Sequence, residues 1–255
     1  AFADMLSAID EGTSSLLTDR IAVTSDSSAL DWVDGVLTAT PTIKIIRDAA
    51  PDGPFPQVRV GFAPVDTDGV SLDASDLNLD TNGDGTPDAA RLGTTTMGLR
   101  FGRLRLDDSY GPETANLPVI FRTEYWDGNE WKQNRDDSCT QIALTEIAYP
   151  DGPISVSANR SPAVGGGATT GEYANLSATS VNFADGDAGH YFTAPGSGNI
   201  GTVAVQVDLT DYSWLRFDWN NDGDFSDSSL PTSNFSFGNY RGHDRMLYWI
   251  EAAGY

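Results

Sequence analysis

The chain has 255 residues, and its 37 acidic side chains outnumber its 15 Lys and Arg side chains, which gives a formal net charge of −22. Such a charge repels phosphate backbones and anionic lipid headgroups, so nucleic acid is excluded as an expected partner. No apolar stretch approaches the ~20 residues that cross a bilayer, so no membrane insertion is expected.

Aspartate dominates the acidic side chains, with 30 Asp against 7 Glu, and the chain also has 26 Gly and 13 Pro. Aspartate is a poor former of helices and strands but is common in turns and in sites for hard cations. The composition therefore predicts a mainly β fold with many turns. The expected architecture is an antiparallel β-sandwich with two β units and few short helices.

In chain order, the segment 2–9 is predicted as a short helix, because Phe2, Met5, Leu6 and Ile9 share one helical face. Strand-like runs follow at 21–24, 43–47, 58–62, 97–106, 117–126, 141–147, 154–158, 174–181, 202–209, 213–219 and 246–250. Residues 99–106 are interpreted as alternating, with apolar positions on one side and arginines on the other. A hairpin is predicted over 124–131, with Asp127-Gly128 or Gly128-Asn129 supplying the positive φ angles at its turn.

The segment 161–171 is polar, small and rich in glycine, so it is interpreted as a linker or a long loop. The predicted domains are a β-sandwich unit over residues 1–160 and a smaller β unit over residues 172–255. An Asp-rich loop lies in each, at 76–88 and at 218–227.

The loop at 80–88 has the sequence Asp-Thr-Asn-Gly-Asp-Gly-Thr-Pro-Asp, in which oxygen-bearing side chains recur at positions 1, 3, 5 and 9 and glycine stands at position 6. This spacing can wrap a loop around a cation. Position 12 is Arg91 and not the bidentate Glu of an EF-hand, so an irregular calcium loop is predicted. The alternative is a metal-free polar turn. The predicted ligands are Asp80, Asn82, Asp84 and Asp88.

A second loop, starting at Asp218, again has Asp, Asn, Asp and Gly at positions 1, 3, 5 and 6. Its predicted calcium ligands are Asp218, Asn220, Asp222 and Asp224, and a tight turn without metal is again the alternative.

Tryptophans suggest a different class of function, a carbohydrate-binding module that stacks sugars on exposed rings. The candidates are Trp126, Trp131, Trp214, Trp219 and Trp249. Aromatic residues in alternating strands are more often core residues or cross-strand pairs.

We expect no enzymatic activity. His190 and His243 match no metalloprotease spacing, and the sequence has no nucleophile elbow, P-loop or dinucleotide fingerprint. The lone Cys139 excludes an internal disulfide framework, and a single Cys is more often a small buried residue than a nucleophile.

A group of segments resembles the C-terminal domain of MshQ-type proteins, which are encoded with the machinery of the mannose-sensitive haemagglutinin (MSHA) type IV pilus. These segments are 49–54, 61–70, 80–88, 100–106, 110–113, 117–119, 124–128, 136–140, 194–199, 214–219 and 237–245. The resemblance runs from about residue 40 to the end, and the earlier residues are expected to belong to a preceding module.

The resemblance implies an exported, adhesive or structural domain at the cell surface, associated with a pilus. The implied partners are other domains of the parent chain, pilus or surface components, and glycans. The first ten residues lack the basic and apolar regions of a signal peptide. The expectation is therefore a calcium-stabilised domain cleaved or excised from a longer exported precursor.

Overall fold

The computed structural model of the chain describes residues 2–25, 31–33, 36–38, 42–64, 71–149, 161–225 and 230–238. About 41% of the chain is strand and 6% is helical, and no described helix has seven or more residues. The predicted mainly β class is confirmed, and the several antiparallel sheets are compatible with a sandwich arrangement.

The chain divides into two compact units. Unit 1 comprises residues 1–101 and 126–130, and unit 2 comprises residues 102–125 and 131–255. This division differs from the predicted one at 161–171, which lies inside unit 2. There, Ala163–Val164 and Gly167–Ala168 form a tight hairpin. A Cβ atom at Gly167 would come within 2.6 Å of the Asn199 amide, so this glycine permits close packing inside a unit.

The strands of unit 1 are β1 Leu6–Asp10, β2 Ser15–Leu16, β3 Ile21–Ser25, β4 Asp31–Val33, β5 Val36–Thr38, β6 Thr42–Ile45, β7 Phe55–Phe62, β8 Ala90–Arg91 and β9 Met97–Leu99. Its main sheet has the order β2-β1-β7-β8, and β9 also pairs with β7. The pairs β3-β6 and β4-β5 are separate. Short 3-10 helices lie at Phe2–Met5 and Thr18–Arg20.

The prediction of a helix over 2–9 is wrong beyond its first turn, because residues from Leu6 onward form β1 in antiparallel register with β7. Leu6 and Ala8 enter the apolar core of unit 1, and Ser7 between them is less buried. This alternation is typical of a strand. Pairing with β7 therefore decides the structure of this segment, although its apolar residues also have helical spacing. The core of unit 1 is built from Leu6, Ala8, Leu17, Phe55, Val58 and Val60.

Apart from Trp126, the last residue of β13, the following strands lie in unit 2: β10 Gly102–Leu106, β11 Ser109–Gly111, β12 Leu117–Pro118, β13 Phe121–Trp126, β14 Trp131–Gln133, β15 Gln141–Ala143, β16 Ile147–Ala148, β17 Ala163–Val164, β18 Gly167–Ala168, β19 Gly171–Glu172, β20 Ser180–Asn182, β21 Tyr191–Phe192, β22 Gly201–Val207 and β23 Thr232–Phe237. Its sheets are β10-β13-β14, β11-β23-β22-β16, β12-β21-β19, β15-β20 and β17-β18. The β11-β23 pair is parallel, and its neighbours are antiparallel. Further 3-10 helices lie at Leu144–Glu146 and Ser213–Leu215.

The core of unit 2 is larger and rich in phenylalanine. Phe121, Phe192, Phe235 and Phe237 are all fully buried or nearly so. Of the alternation predicted for 99–106, the part in β10 is confirmed, because Leu104 and Leu106 are buried while Arg103 and Arg105 are partly exposed.

Other predicted strands differ from the structure. The run 97–106 forms two strands, β9 and β10, and the run 174–181 contributes only its end to β20. The run 213–219 forms no strand; it begins with the 3-10 helix Ser213–Leu215, in which the N–H of Leu215 donates to the carbonyl oxygen of Tyr212. The predicted strands 154–158 and 246–250 lie outside the described residues. The hairpin at Asp127-Gly128 is confirmed, with Gly128 at a φ of 103°.

Candidate functional site

The first aspartate-rich loop, residues 80–88, is held at its base by two buried residues, and we call it loop A. Leu79 and Ala89 form an antiparallel bridge. The backbone N–H of Asp88 donates to the carbonyl oxygen of Leu79 at 3.0 Å. A Cβ atom at Gly61 would come within 2.7 Å of the Ala89 side chain, so Gly61 allows the base to pack closely. Loop A therefore projects from a fixed point in the core of unit 1.

Asp80 organises the turn of loop A through its two carboxylate oxygens. Its Oδ2 accepts the N–H of Gly85 at 2.7 Å, and its Oδ1 accepts the N–H groups of Gly83 at 2.7 Å and Asn82 at 3.3 Å. The N–H of Gly85 has the largest effect on the pKa of the Asp80 carboxyl. All of these bonds lower that pKa, because N–H donors stabilise the charged form of the carboxyl.

The other three predicted ligands of loop A also accept backbone N–H groups. Asn82 Oδ1 accepts from Asp84 at 2.9 Å, and Asp84 Oδ1 accepts from Thr86 at 2.8 Å. Asp88 Oδ1 accepts both the N–H of Thr81 at 2.7 Å and its hydroxyl at 2.9 Å. This last pair of bonds closes the loop at position 9.

The second aspartate-rich loop, residues 218–224, is called loop B. Asp218 Oδ2 accepts the N–H of Gly223 at 2.9 Å, and its Oδ1 accepts that of Asp222 at 2.9 Å. Asn220 Oδ1 lies 3.2 Å from the same Asp222 N–H. Asp222 Oδ1 accepts from Asp224 at 2.8 Å. The predicted loop continued to residue 227, but residues 226 and 227 lie outside the described residues.

The two loops have the same conformation. In both, the carboxylate at position 1 accepts the N–H at position 6, and the side chains at positions 3 and 5 accept the N–H groups at positions 5 and 7. Position 4 has positive φ in each, 79° at Gly83 and 58° at Asn221. Position 6 also has positive φ, 89° at Gly85 and 93° at Gly223.

The side chains of both loops supply oxygen, which is the donor that a hard cation such as calcium prefers. Each oxygen that accepts one N–H retains a second lone pair. Within the described ranges, no group of three or more His, Cys, Asp or Glu side chains is placed to hold a metal ion. Since calcium takes six to eight oxygen ligands, an ion in either loop would need the Asn side chain and backbone carbonyl oxygens as well.

Loop B rests on a cluster of aromatic rings centred on Phe217. The Phe217 ring contacts the rings of Trp131, Trp219 and Phe225 with centroids 5.1, 5.3 and 5.2 Å apart. The guanidinium of Arg103 lies 4.7 Å from the Phe217 ring centre. The start of loop B is therefore attached to the packed part of unit 2.

The tryptophans proposed as a sugar platform are placed differently from one another. Trp214 is 52% exposed, whereas Trp126, Trp131 and Trp219 are partly buried. Trp249 lies outside the described residues. Trp214 contacts the ring of Tyr212 at 5.6 Å. Among the described tryptophan side chains, Trp214 is the only exposed one.

The sequence interpretation missed a charged cluster on the sheet β10-β13-β14. Glu124 has a side chain that is 0% exposed, and it pairs with Arg103, Arg105 and Arg122. Arg105 also pairs with Asp107 at 2.7 Å. The signal was in the sequence: the arginines that alternate along β10 face Arg122 and Glu124 on β13 once the two strands are in register.

Cys139 is exposed, but its neighbour makes it a poor nucleophile. The negative charge of Asp137, together with a weak hydrogen bond from the thiol at 3.6 Å, raises the pKa of Cys139. Burial alone would raise the pKa of Asp137, but bonds from Thr140 and Thr123 outweigh it and the pKa is lowered. The carboxylate therefore stays charged and disfavours the thiolate.

His190 is the histidine that lies within the described residues, and it is buried in unit 2. Its ring stacks on Tyr173 with centroids 4.2 Å apart, and its Nδ1 donates to the carbonyl oxygen of Glu172 at 2.9 Å. It is 3% exposed.

The described part of the chain is thus a mainly β protein with one aspartate-rich loop of common conformation in each of two units. Within the described ranges, no helix has both the length and the apolar character needed to span a bilayer.

The chain belongs to the DUF6701 family. Residues 3–91 match the family's third domain and residues 100–252 match its fourth domain. The gap between these matches lies close to the division between units 1 and 2. The third-domain match runs across residue 40, so the first 40 residues lie in one domain with the residues up to 91, and the expected boundary near residue 40 is wrong. No curated protein and no solved structure matches the chain.

Proposed function

We propose that this chain is a non-enzymatic structural module of a larger surface protein, and that calcium in loops A and B stabilises its two units. The observation that carries the proposal is the conformation shared by the two loops, in which a position-1 carboxylate accepts the N–H at position 6. The shared sequence pattern Asp-x-Asn-x-Asp-Gly produces this conformation, and it has the oxygen spacing of calcium loops at both places.

The ion would be held in loop A by Asp80, Asn82, Asp84 and Asp88, and in loop B by Asp218, Asn220, Asp222 and Asp224. Calcium would supply positive charge that offsets the repulsion between neighbouring carboxylates in a chain of net charge −22. The chain's own contribution is to fix the side-chain oxygens through backbone N–H groups before an ion arrives.

The proposal also includes export to the cell surface, an adhesive role and association with a type IV pilus. Its support is the resemblance to MshQ-type MSHA proteins and the high aspartate content, which suits a calcium-rich exterior. Binding that requires calcium at millimolar concentration would then stabilise the module after export.

Thermal unfolding in excess EDTA, in millimolar calcium and in millimolar magnesium tests the calcium part. Free calcium at a hundredfold above its Kd adds about 2.7 kcal/mol to the folded state. For a protein of this size that is a rise in Tm of roughly 5–10 °C. We expect the rise with calcium and a smaller one or none with magnesium.

Asp84→Ala and Asp222→Ala should each lower the calcium-dependent rise in Tm. Asp73→Ala and Asp208→Ala are the matched controls, because these aspartates accept local bonds from Ser75 and Thr210 outside the two loops. If the control variants lose as much of the calcium-dependent rise in Tm as the loop variants do, the rise comes from general charge screening and not from calcium bound in the loops. No rise in the wild type would overturn the calcium role.

A carbohydrate-binding module is the second candidate, and the exposed ring of Trp214 favours it. Tryptophan fluorescence titrated with neutral oligosaccharides, in the wild type and in Trp214→Ala, tests this reading. A sugar-dependent change that persists in Trp214→Ala would exclude Trp214 as the platform.

A further inference from the structure

Loop A contains the pair Asn82-Gly83, and no other asparagine in the sequence is followed by glycine. Both residues are exposed, so water reaches them. The backbone nitrogen that follows an asparagine can attack the side-chain carbonyl carbon, and a side chain on that next residue hinders the approach. Glycine at position 83 therefore gives Asn82 the least hindered following nitrogen of any asparagine in the chain.

The group open to attack is the side-chain amide of Asn82. Its Oδ1 accepts the N–H of Asp84 at 2.9 Å, which turns the side-chain carbonyl toward the residues that follow. When a nucleophile adds to Cγ, negative charge develops on Oδ1, and an N–H donor already bonded to that oxygen stabilises the charge. The N–H of Asp84 is therefore placed to favour addition at Cγ.

The attacking group is the backbone nitrogen of Gly83. Its N–H donates to Oδ1 of Asp80 at 2.7 Å, and a hydrogen bond to a carboxylate shifts electron density toward the nitrogen. The backbone N–H groups that lower the pKa of Asp80 keep this carboxylate charged at neutral pH. A Cβ atom at Gly83 would meet nothing within 4 Å, so the space around this residue is open.

Loop B provides a comparison within the same molecule. Asn220 occupies position 3 there, is exposed, and has its Oδ1 at 3.2 Å from the backbone nitrogen of Asp222. Position 4 is Asn221 instead of glycine, with φ at 58° against 79° at Gly83. The residue that carries the attacking nitrogen thus has a side chain in loop B and none in loop A.

We propose that Asn82 is a site of spontaneous deamidation, assisted by the bonds of Gly83 to Asp80 and of Asp84 to Asn82. The Gly83 nitrogen forms a bond to Cγ of Asn82 and loses its proton to water. The bond between Cγ and Nδ2 breaks, and Nδ2 takes up a proton from water and leaves as ammonia. Water then adds to one of the two carbonyl carbons of the cyclic imide and breaks its bond to nitrogen, which leaves aspartate or isoaspartate at position 82.

The modification changes loop A itself. Either product adds one negative charge to a chain of net charge −22. Isoaspartate also lengthens the main chain by one carbon between Asp80 and Gly85, the two residues whose hydrogen bond closes the turn. The site goes beyond the proposed calcium role and does not require it.

The test holds the 255-residue chain in EDTA at mildly alkaline pH and follows each asparagine by peptide mass spectrometry, which detects the conversion of the side-chain amide to a carboxyl group. We expect Asn82 to react roughly ten- to a hundredfold faster than Asn220, because small misplacements of reacting atoms change rates by such factors. Equal rates at the two asparagines would overturn the proposal. The reaction at Asn82 should be slower in guanidinium chloride, and a faster reaction there would overturn the proposal by showing that the folded loop protects Asn82.

Exchanging the residues at position 4 gives two matched variants. Gly83→Asn introduces a residue that tolerates positive φ, as Asn221 does in loop B, and should slow the reaction at Asn82 to the rate of Asn220. Asn221→Gly should raise the rate at Asn220 toward that of Asn82. Unchanged rates in both variants would refute the part played by position 4 and overturn the proposal. The comparison of Asn82 with Asn220 in the wild type needs no substitution and carries the test if a variant does not fold.

Discussion

Loops A and B share one conformation, but the residues that surround them differ. In loop A the organising Asp80 is partly exposed, and the loop joins the core through the Leu79–Ala89 bridge at its base. In loop B the organising Asp218 is 8% exposed and directly follows Phe217, whose ring packs in the aromatic cluster. The local sequence thus sets the conformation of each loop. The residues packed around the loop set how strongly the stability of its unit depends on that conformation.

The largest difference between the loops should appear when the organising carboxylate is removed. Asp218→Ala removes a buried carboxylate that accepts the N–H of Gly223 and shares the N–H of Asp222 with Asn220. We expect a loss of about 2–3 kcal/mol in the stability of unit 2. Asp80→Ala should lower the stability of unit 1 by a smaller amount, because water can reach the N–H groups of Gly83 and Gly85 in the exposed loop A.

Urea unfolding followed by tryptophan fluorescence and far-UV circular dichroism, in excess EDTA, measures both variants without a metal contribution. A loss at Asp80 as large as that at Asp218 would show that the surroundings of the loops do not matter. The shared conformation of the two loops would then be enough to explain both losses of stability.

A smaller and equal effect is expected at position 6 of the two loops. Gly85 and Gly223 have φ near 90°, and a Cβ atom at either position would meet nothing within 4 Å. An alanine there is strained only by its backbone, so Gly85→Ala and Gly223→Ala should each cost about 1–2 kcal/mol.

Gly98→Ala is the control for these variants, because Gly98 lies in β9 without positive φ and a Cβ atom there would meet only the Pro56 carbonyl oxygen, at an ordinary contact distance of 3.9 Å. It should change stability by less than about 1 kcal/mol. If the Gly85 and Gly223 variants differ from each other by more than that amount, the loops do not share the backbone conformation described above.

The mainly β class and the conformation of the loops could be predicted because both depend on local chemistry. The Asp-x-Asn-x-Asp-Gly pattern carries its own hydrogen-bond donors and acceptors, and the Asp127-Gly128 turn requires positive φ at its glycine. The helical spacing of the first residues, in contrast, gave way to pairing with β7, a partner that lies about 50 residues away in sequence and that periodicity alone does not reveal.

The division between the units and the Arg–Glu cluster could not be predicted from the sequence alone, because both depend on how distant strands pair. Arg105 faces Arg122, and Arg103 faces Glu124, only because β10 and β13 pair antiparallel with one particular alignment. A shift by one residue would place these side chains on the opposite face of the sheet. The glycine-rich segment 161–171 was similarly ambiguous, because glycine suits both a linker and a tightly packed hairpin.

The smallest expected effect concerns the charge of loop A. The Gly85 N–H and its neighbours lower the pKa of Asp80 in the folded protein. The unfolded chain therefore binds a proton to this carboxyl at a higher pH than the folded chain does. The stabilisation is present above the ordinary Asp pKa of about 3.9 and is lost as the pH falls through the lower folded value.

The stability difference between the wild type and Asp80→Asn should therefore be constant from neutral pH down to about pH 5 and should shrink below about pH 4. Urea unfolding across this range in EDTA measures the difference, and carboxyl NMR of Asp80 measures its pKa directly. Asp73→Asn is the comparison, because hydrogen bonds from Ser75 lower the pKa of Asp73 outside the loop. A pKa of Asp80 at or above the ordinary value would mean that its bonds to Gly83 and Gly85 do not persist in solution, and loop A would then lack the fixed oxygens that the calcium proposal requires of it.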